Sequence, residues 1–292
     1  MTDPVILFRD ELAATFGPLD FMPIPDGQIH RFHVPGDRVG SRNGWYVLHL
    51  DGLPVGIFGS WKRGGSNTWN SRKPADPFEA DQLAERIEQA KRQRQAEQHQ
   101  RQQAAAIEAQ RLWAEAVPAD PGHPYLIRKG CQPHNLRQSG DVLLVPLYLG
   151  RQLVNLQRIY PDGAKRFLSG GRVKGCYSAI GRLEHGGHLY VCEGWATGAT
   201  IHEETGDAVA CAMNAGNLRE VGEHLQDAYP DSPLIVAGDD DRQTEGNPGR
   251  NAAAWAAGDL GAYRLIFPVW PEGAPLELSD FNDLRQWLRS KQ

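Results

Sequence analysis

From about residue 188 onwards, short apolar runs alternate with stretches of helical periodicity. Runs at 188–193, 208–213, 234–238 and 263–269 have the length and bounded apolar character of buried strands. Between them, 196–204, 218–229 and the Ala-rich 248–259 read as helices. Strand and helix alternating over short connections predict a parallel sheet wrapped by helices. A last helix opens at Ser279-Asp280, either of which can cap it, and it carries Asp280 and Asp283 one turn apart on one face.

The first half has a different pattern. A short helix within 1–20 stops at Gly17-Pro18, and then runs at 28–34, 44–50, 55–59 and 66–69, separated by Gly, Pro and Asp-Gly signals, predict a small antiparallel sheet. Residues 77–116 form a long helical segment between Asp76-Pro77 and Pro118. Its middle, 91–103, lacks any large apolar residue and so has no face to bury; it reads as a solvated helix or linker, with a nucleic-acid-binding arm as the alternative. Apolar runs at 142–148 and 153–160 make a hairpin around Gly150-Arg151. The expected division is a β-rich domain at 1–75, a helical linker at 76–118, a basic subdomain at 119–185 and an α/β domain at 186–292. The expected fold class is therefore an α+β N-terminal region followed by a Rossmann-like α/β domain.

Charge sharpens this division. Residues 1–183 carry 24 Lys and Arg against 18 acids, whereas 184–292 carry 7 against 18, so nets of +6 and −11 make up the −5 of the chain. A basic half joined to an acidic half suits a protein that holds a polyanion with one part and metal ions with the other. In the N-terminal sheet, basic residues including Lys62 and Arg63 are interleaved with Trp61, Trp69 and other aromatics. That mixture serves either as the core of a small β domain or as a platform for single-stranded nucleic acid, with Trp61 and Trp69 expected to be the exposed rings. Between Arg151 and Arg182 there are seven Lys and Arg against one acid, Asp162, with glycines at 170, 171 and 175. Backbone amides freed by those glycines, together with Arg158, Lys165, Arg166, Arg172 and Lys174, suit a phosphate chain; a solvated loop is the alternative. The four cysteines form no CxxC pair, which indicates neither a zinc ribbon nor a disulfide framework. With no signal pattern and no run near the roughly 20 apolar residues of a membrane span, the expected location is the cytoplasm, with no membrane partner.

Two of the strands end in acids. Leu189-Tyr-Val-Cys-Glu-Gly194 delivers Glu193, and Leu234-Ile-Val-Ala-Gly-Asp-Asp-Asp241 delivers Asp239, Asp240 and Asp241. The C-terminal ends of parallel strands form the ligand crevice of an open sheet, so these acids are expected to meet there. Carboxylates gathered in one place repel and drive one another towards protonation unless a cation compensates, and Mg2+ suits a few carboxylates plus phosphate oxygens.

These residues resemble a Toprim domain, the metal-binding catalytic module shared by bacterial replicative primases, type IA and type II topoisomerases and some nucleases. The resemblance rests on Glu193-Gly194 after the first strand and on an Asp-x-Asp best matched by Asp239 and Asp241, with Asp240 open as a further metal-facing residue. The Gly-Trp-Tyr-Val-Leu-His-Leu-Asp-Gly run at 44–52, Lys-x-Phe-Leu-x-Gly-Gly at 165–171, Glu-Gly-x-Ala-Thr-Gly at 193–198, Gly-Asn-Pro-Gly-Arg at 246–250 and Asp-Phe-Asn-Asp at 280–283 are similar to primase-like proteins of plasmids, integrative elements and phages. The resemblance implies template-directed synthesis of short primers on single-stranded DNA from nucleoside triphosphates. It assigns Glu193, Asp239 and Asp241 to catalysis with Mg2+ or Mn2+, and Asp280 and Asp283 to the metal's outer shell. Arg158, Lys165, Arg166 and Lys174 would hold template or triphosphate.

Two departures from the cellular primase pattern follow. Zinc is not expected, because the N-terminal region lacks the cysteines to hold it, and the aromatic sheet at 27–69 is expected in its place. Little sequence follows the α/β domain, so a helicase is expected from another chain if one is needed. Two other functions compete: a Toprim nuclease using the same acids, and a non-catalytic protein that escorts single-stranded DNA.

Overall fold

The computed structural model describes residues 3–62 and 64–291, and Arg63 lies outside them. The chain divides into two compact units, 1–100 and 101–292.

In the first unit, helix α1 (Pro4–Phe16) starts where Asp3 accepts a hydrogen bond from the Val5 amide at 2.9 Å. Phe8, Leu12 and Phe16 recur at i, i+4 and i+8 and form its buried face. They rest on an antiparallel sheet of β1 (His30–Phe32), β2 (Gly44–His49), β3 (Val55–Ser60) and β4 (Gly64–Asn70), in that order. A side chain at Gly56 would lie 2.1 Å from the Phe8 ring, so the bare backbone there lets α1 sit directly on β3. Helix α2 (Pro77–Glu115) covers the opposite face through Leu83, Ile87 and Ala90. Alternate residues of β2 thus enter different clusters: Tyr46 and Leu48 join Phe8 and Leu12, while Trp45 and Val47 join Ile87 and Ala90.

This double cover overturns the exposure expected of Trp61 and Trp69. Trp61 packs 6.1 Å from Trp45, and Trp69 lies 5.4 Å from Phe8. Both are partly buried, because helices occupy the two faces on which bases would stack. Lys62 remains on the surface, paired with Asp37 at 2.7 Å.

Residues 91–103, which lack large apolar side chains, are a mostly exposed stretch of the continuous helix α2, and polar side chains anchor the helix's first part. Arg86 donates to the Leu53 carbonyl at 2.9 Å and pairs with Asp51, while Arg94 donates to the Gly65 carbonyl at 2.9 Å and lies over Trp45. Guanidinium groups and their stems do here what apolar side chains do elsewhere.

The second unit contains two sheets. After β5 (Val117–Pro118) and the short α3 (Pro124–Lys129), β6 (Arg137–Ser139), β7 (Val142–Leu149), β8 (Gln152–Ile159) and β9 (Lys165–Phe167) complete an antiparallel sheet ordered β5-β6-β7-β8-β9. The other sheet consists of β10 (Ser178–Ile180), β11 (Leu189–Cys192), β12 (Ala208–Cys211), β13 (Leu234–Ala237) and β14 (Arg264–Ile266). Its order is β10-β12-β11-β13-β14, parallel except for β10. The run predicted as a strand at 263–269 pairs only as far as Ile266, and Pro268, which has no amide to donate, lies just beyond.

Helices α4 (Trp195–Thr205) and α7 (Phe281–Arg289) pack together, as do α5 (Leu218–Ala228) and α6 (Pro248–Leu260). Val221, Leu225, Ala253 and Ala256 of α5 and α6 bury one face of the parallel strands with Val191 and Val236. Trp195 and Ala199 of α4 share a second cluster with Cys192 and Cys211, and with Tyr125, Leu143, Val145 and Leu147 from the antiparallel part of the unit. One apolar core therefore holds both sheets of this unit in register. Among the described residues, no helix is long and apolar enough to cross a membrane.

Candidate metal and phosphate site

Strands β11 and β13 are parallel neighbours in which Cys192 pairs with Ala237. Glu193 follows the first strand directly, and Asp239 follows the second after Gly238, so both acids leave the same sheet edge. The Glu193 carbonyl accepts the Met213 amide at 2.7 Å, which ties the end of β11 to the end of β12. Asp241 accepts the Gly249 amide at 2.9 Å, at the N-terminus of α6, where the helix dipole favours an anion. Asp280 caps α7 by accepting the Asp283 amide at 2.8 Å. Asp283 in turn accepts the Ser279 amide at 3.2 Å and meets the Lys129 ammonium at 3.3 Å.

Electrostatics show which of these acids share one field. Burial pushes Asp239 up to about 8, helped by Asp280, Glu193, Asp241 and Asp283 in that order. Burial also raises Glu193, with Asp241 and Asp280 adding to it and Lys165 opposing. Asp280 is raised by burial and by Asp283, against Lys129. Lys165 keeps an open side to solvent but is crowded by protein atoms; burial and then Lys129 lower its pKa, while Asp280, Glu193 and Asp239 hold it up. Five carboxylates and two lysines thus form a single charge system.

Asp240 stands apart from it. Its oxygens accept from Asn247 Nδ2 at 2.8 Å and Trp270 Nε1 at 3.0 Å, with Arg250 at 3.4 Å. Burial works to raise this carboxyl, and those donors together hold it below the usual range.

Among the described residues, no three His, Cys, Asp or Glu side chains converge tightly enough to hold an ion as they stand. The local chemistry nevertheless fits a hard divalent cation. The donors are all carboxylate oxygens, and Asp239 Oδ1 is buried without a hydrogen-bond partner. Four of its carboxylate neighbours make ionisation costly, and a cation would relieve that cost.

The basic residues separate into three places. Lys165 faces the acids. Register pairs Arg158 with Arg166 across β8 and β9, which puts them together on the face opposite Lys165; Arg166 lines a shallow cavity of about 420 Å³ with Tyr160 and Asp162. Lys174 pairs with Glu220 of α5 at 2.7 Å, and Arg172 donates to the Lys174 carbonyl at 2.9 Å. Asn217, buried in the turn before α5, fastens this loop: its amide donates to the Val173, Cys176 and Ala212 carbonyls and accepts from Gly175.

Two members of the site gave no signal in the sequence. Lys129 reads there as a basic residue in the last turn of a short helix, and only tertiary structure brings it to Asp283, 154 residues away. Tyr125, 2% exposed, offers its ring to the Lys165 ammonium at 5.6 Å.

Residues 188–288 match the Toprim domain family. A DNA primase TraC from Escherichia coli is 38% identical over 267 residues, covering 86% of this chain and 25% of its own length. A second Escherichia coli DNA primase TraC is 37% identical over 276 residues, covering 90% of this chain and 19% of its own. The chain therefore spans a quarter or less of the length of these curated relatives. Among solved structures, a DnaG primase catalytic domain bound to ssDNA has a TM-score of 0.41 at 14% identity, covering 67% of this chain and 76% of that one.

Proposed function

We propose that this chain, whose residues 188–288 match the Toprim domain family, is a primase-type nucleotidyltransferase that makes short primers on single-stranded DNA from nucleoside triphosphates. The observation that carries the reading is the shared field of Glu193, Asp239, Asp241, Asp280 and Asp283 with Lys129 and Lys165. Glu193, Asp239 and Asp241 hold Mg2+ or Mn2+ in this proposal, with Asp280 and Asp283 behind them. When bound, such an ion activates the attacking hydroxyl and neutralises charge on the phosphates. Lys165 and Lys129 supply positive charge beside the acids, which would favour the phosphates of a nucleoside triphosphate there. The Gly249 amide fixes the Asp241 carboxylate before substrate arrives, which limits reorganisation during the reaction.

The same proposal gives 119–185 to substrate phosphates, 186–292 to catalysis, 76–118 to linkage and 1–75 to contact with the template. Single-stranded DNA and nucleoside triphosphates are the partners, a helicase on another chain is compatible with it, and the cytoplasm is the expected setting.

The test is incubation with single-stranded DNA, labelled ribonucleotides and either Mg2+ or Mn2+. Labelled oligoribonucleotides are the expected product, abolished by Glu193→Gln and by Asp241→Asn. Shortened DNA without incorporation would replace this reading with that of a nuclease.

A further inference from the structure

The triple acid places a third carboxylate between the two aspartates assigned to the metal, and the geometry gives it a different task. Asp240 is 7% exposed. Its carboxylate gathers Trp270 Nε1 at 3.0 Å, Asn247 Nδ2 at 2.8 Å and Arg250 Nη1 at 3.4 Å. Its own amide donates to the Ser279 carbonyl at 2.7 Å, immediately before Asp280. Three segments therefore meet on this residue: the end of β13, the start of α6 and the loop that runs from β14 to α7.

Each of those segments carries or fixes an acid of the site. Asn247 has a left-handed backbone with φ of 44° and caps α6, and its Oδ1 accepts the Asp241 amide at 2.8 Å. The same side chain that binds Asp240 through Nδ2 thus holds Asp241 through Oδ1. Trp270 lies in the loop leading to Asp280, and its ring is covered by the Arg242 guanidinium at 4.3 Å. Arg242 in turn donates to the Pro275 and Leu278 carbonyls of that loop. With its oxygens taken by these donors, Asp240 has a structural partner set already, whereas Asp239 Oδ1 is buried with none.

From this arrangement we infer that Asp240 is a positioning residue, which sets the spacing of Asp239, Asp241 and Asp280 through Trp270 and Asn247 and does not itself ligate the ion. The inference rests on the metal-binding reading above. Groups behind a metal's direct ligands orient them, and losing one typically lowers metal affinity about 10- to 100-fold.

The experiment compares Mn2+ affinity, read from loss of the free-ion EPR signal, for the full chain and for Asp240→Asn, Trp270→Phe and the double variant. Trp270→Phe keeps an aromatic ring for Arg242, removes the indole donor and changes no charge, so it isolates the brace from any loss of local negative charge. The metal-free melting temperature of each variant is measured alongside. The expected result is a loss of about 10-fold in Mn2+ affinity for each single variant, with the double variant little worse than either, since both break one connection. Asp240→Asn weakening Mn2+ while Trp270→Phe binds like the wild type would make Asp240 a direct ligand and overturn the inference. Lowered melting temperatures with unchanged affinity would also overturn it, leaving only a role in the fold. A wild type that does not bind Mn2+ would remove the metal reading itself, and this inference with it.

Discussion

Gly249 touches the site without any functional group of its own. A Cβ there would stand 2.6 Å from Asp241 Oδ2 and 3.2 Å from the Asp239 Cβ, at the point where the Gly249 amide binds Asp241. Gly249→Ala should therefore move the Asp241 carboxylate while α6, capped by Asn247, persists. Isothermal titration should show Mn2+ binding weakened by about 10-fold, with a metal-free melting temperature close to that of the wild type. Unchanged binding would mean that Asp241 can shift without consequence. At this scale the placement of Glu193, Asp239 and Asp241 just beyond two parallel strands is legible in the sequence, because an apolar run that ends in acid announces a strand and its end. The separate partner set of Asp240 is not, since three consecutive acids look alike until their hydrogen-bond partners are known. Lys129 is equally hidden: a lysine before a helix-ending glycine has an ordinary local explanation.

Helices α3 and α7 show how an element can depend on a distant one. The last carbonyls of α3 have no partners within so short a helix. Side chains of α7 supply them: Gln286 donates to Arg128 at 3.3 Å, Asn282 to Lys129 at 2.8 Å and Arg285 to Gly130 at 3.0 Å. Arg285, 6% exposed, also pairs with Glu203 of α4 at 2.6 Å. Removing one side of this pair leaves Glu203 with the Gln132 amide and His134 only, so Arg285→Met should cost about 3 kcal/mol. By calorimetry that is a fall of roughly 6–12 °C in Tm. Burial alone would raise the Glu203 pKa, but the Gln132 amide, Arg285 and His134 outweigh it and hold the group below its ordinary 4.5. A lowered carboxylate stabilises the fold above its unfolded value and loses that contribution as the pH falls through its folded value. Wild-type stability should therefore decline in the acid range below pH 4.5, and less steeply in Arg285→Met, where Glu203 has lost one of the partners that lower it. Helical periodicity at 279–288 reveals α7 from sequence, whereas its grip on α3 comes from polar residues that carry no periodic signal. The anchoring of α2 by Arg86 and Arg94 escapes detection for the same reason.

At the scale of the whole molecule, every acid of the site, and both lysines that face them, lie in the unit 101–292. Metal should accordingly stabilise that unit selectively. At a concentration about 100 times Kd, binding contributes about 2.7 kcal/mol to the unit that holds the ion. Hydrogen exchange with and without Mn2+ should show added protection in β11, β13, α6 and α7 and unchanged exchange in β1 to β4; protection spread over the first sheet would contradict this assignment. The alternation of strand and helix makes the α/β architecture legible from sequence, because each element carries its own period. The double cover of the N-terminal sheet is less so, since a strand buried on both faces and one bearing exposed aromatics have similar compositions.

The docking of α7 on α3 also has a kinetic consequence. Asn282 and Lys129 are 153 residues apart in the chain, so their hydrogen bond closes one of the longest loops in the unit. Contacts of such high order form only after most of the entropy of the intervening chain has been lost. The junction is therefore expected to form late, and Arg285→Met should speed unfolding more than it slows folding in stopped-flow measurements. Lys129 and Asp283 meet across this same junction, so on this expectation the charge balance of the site should be acquired late in folding and lost early in unfolding.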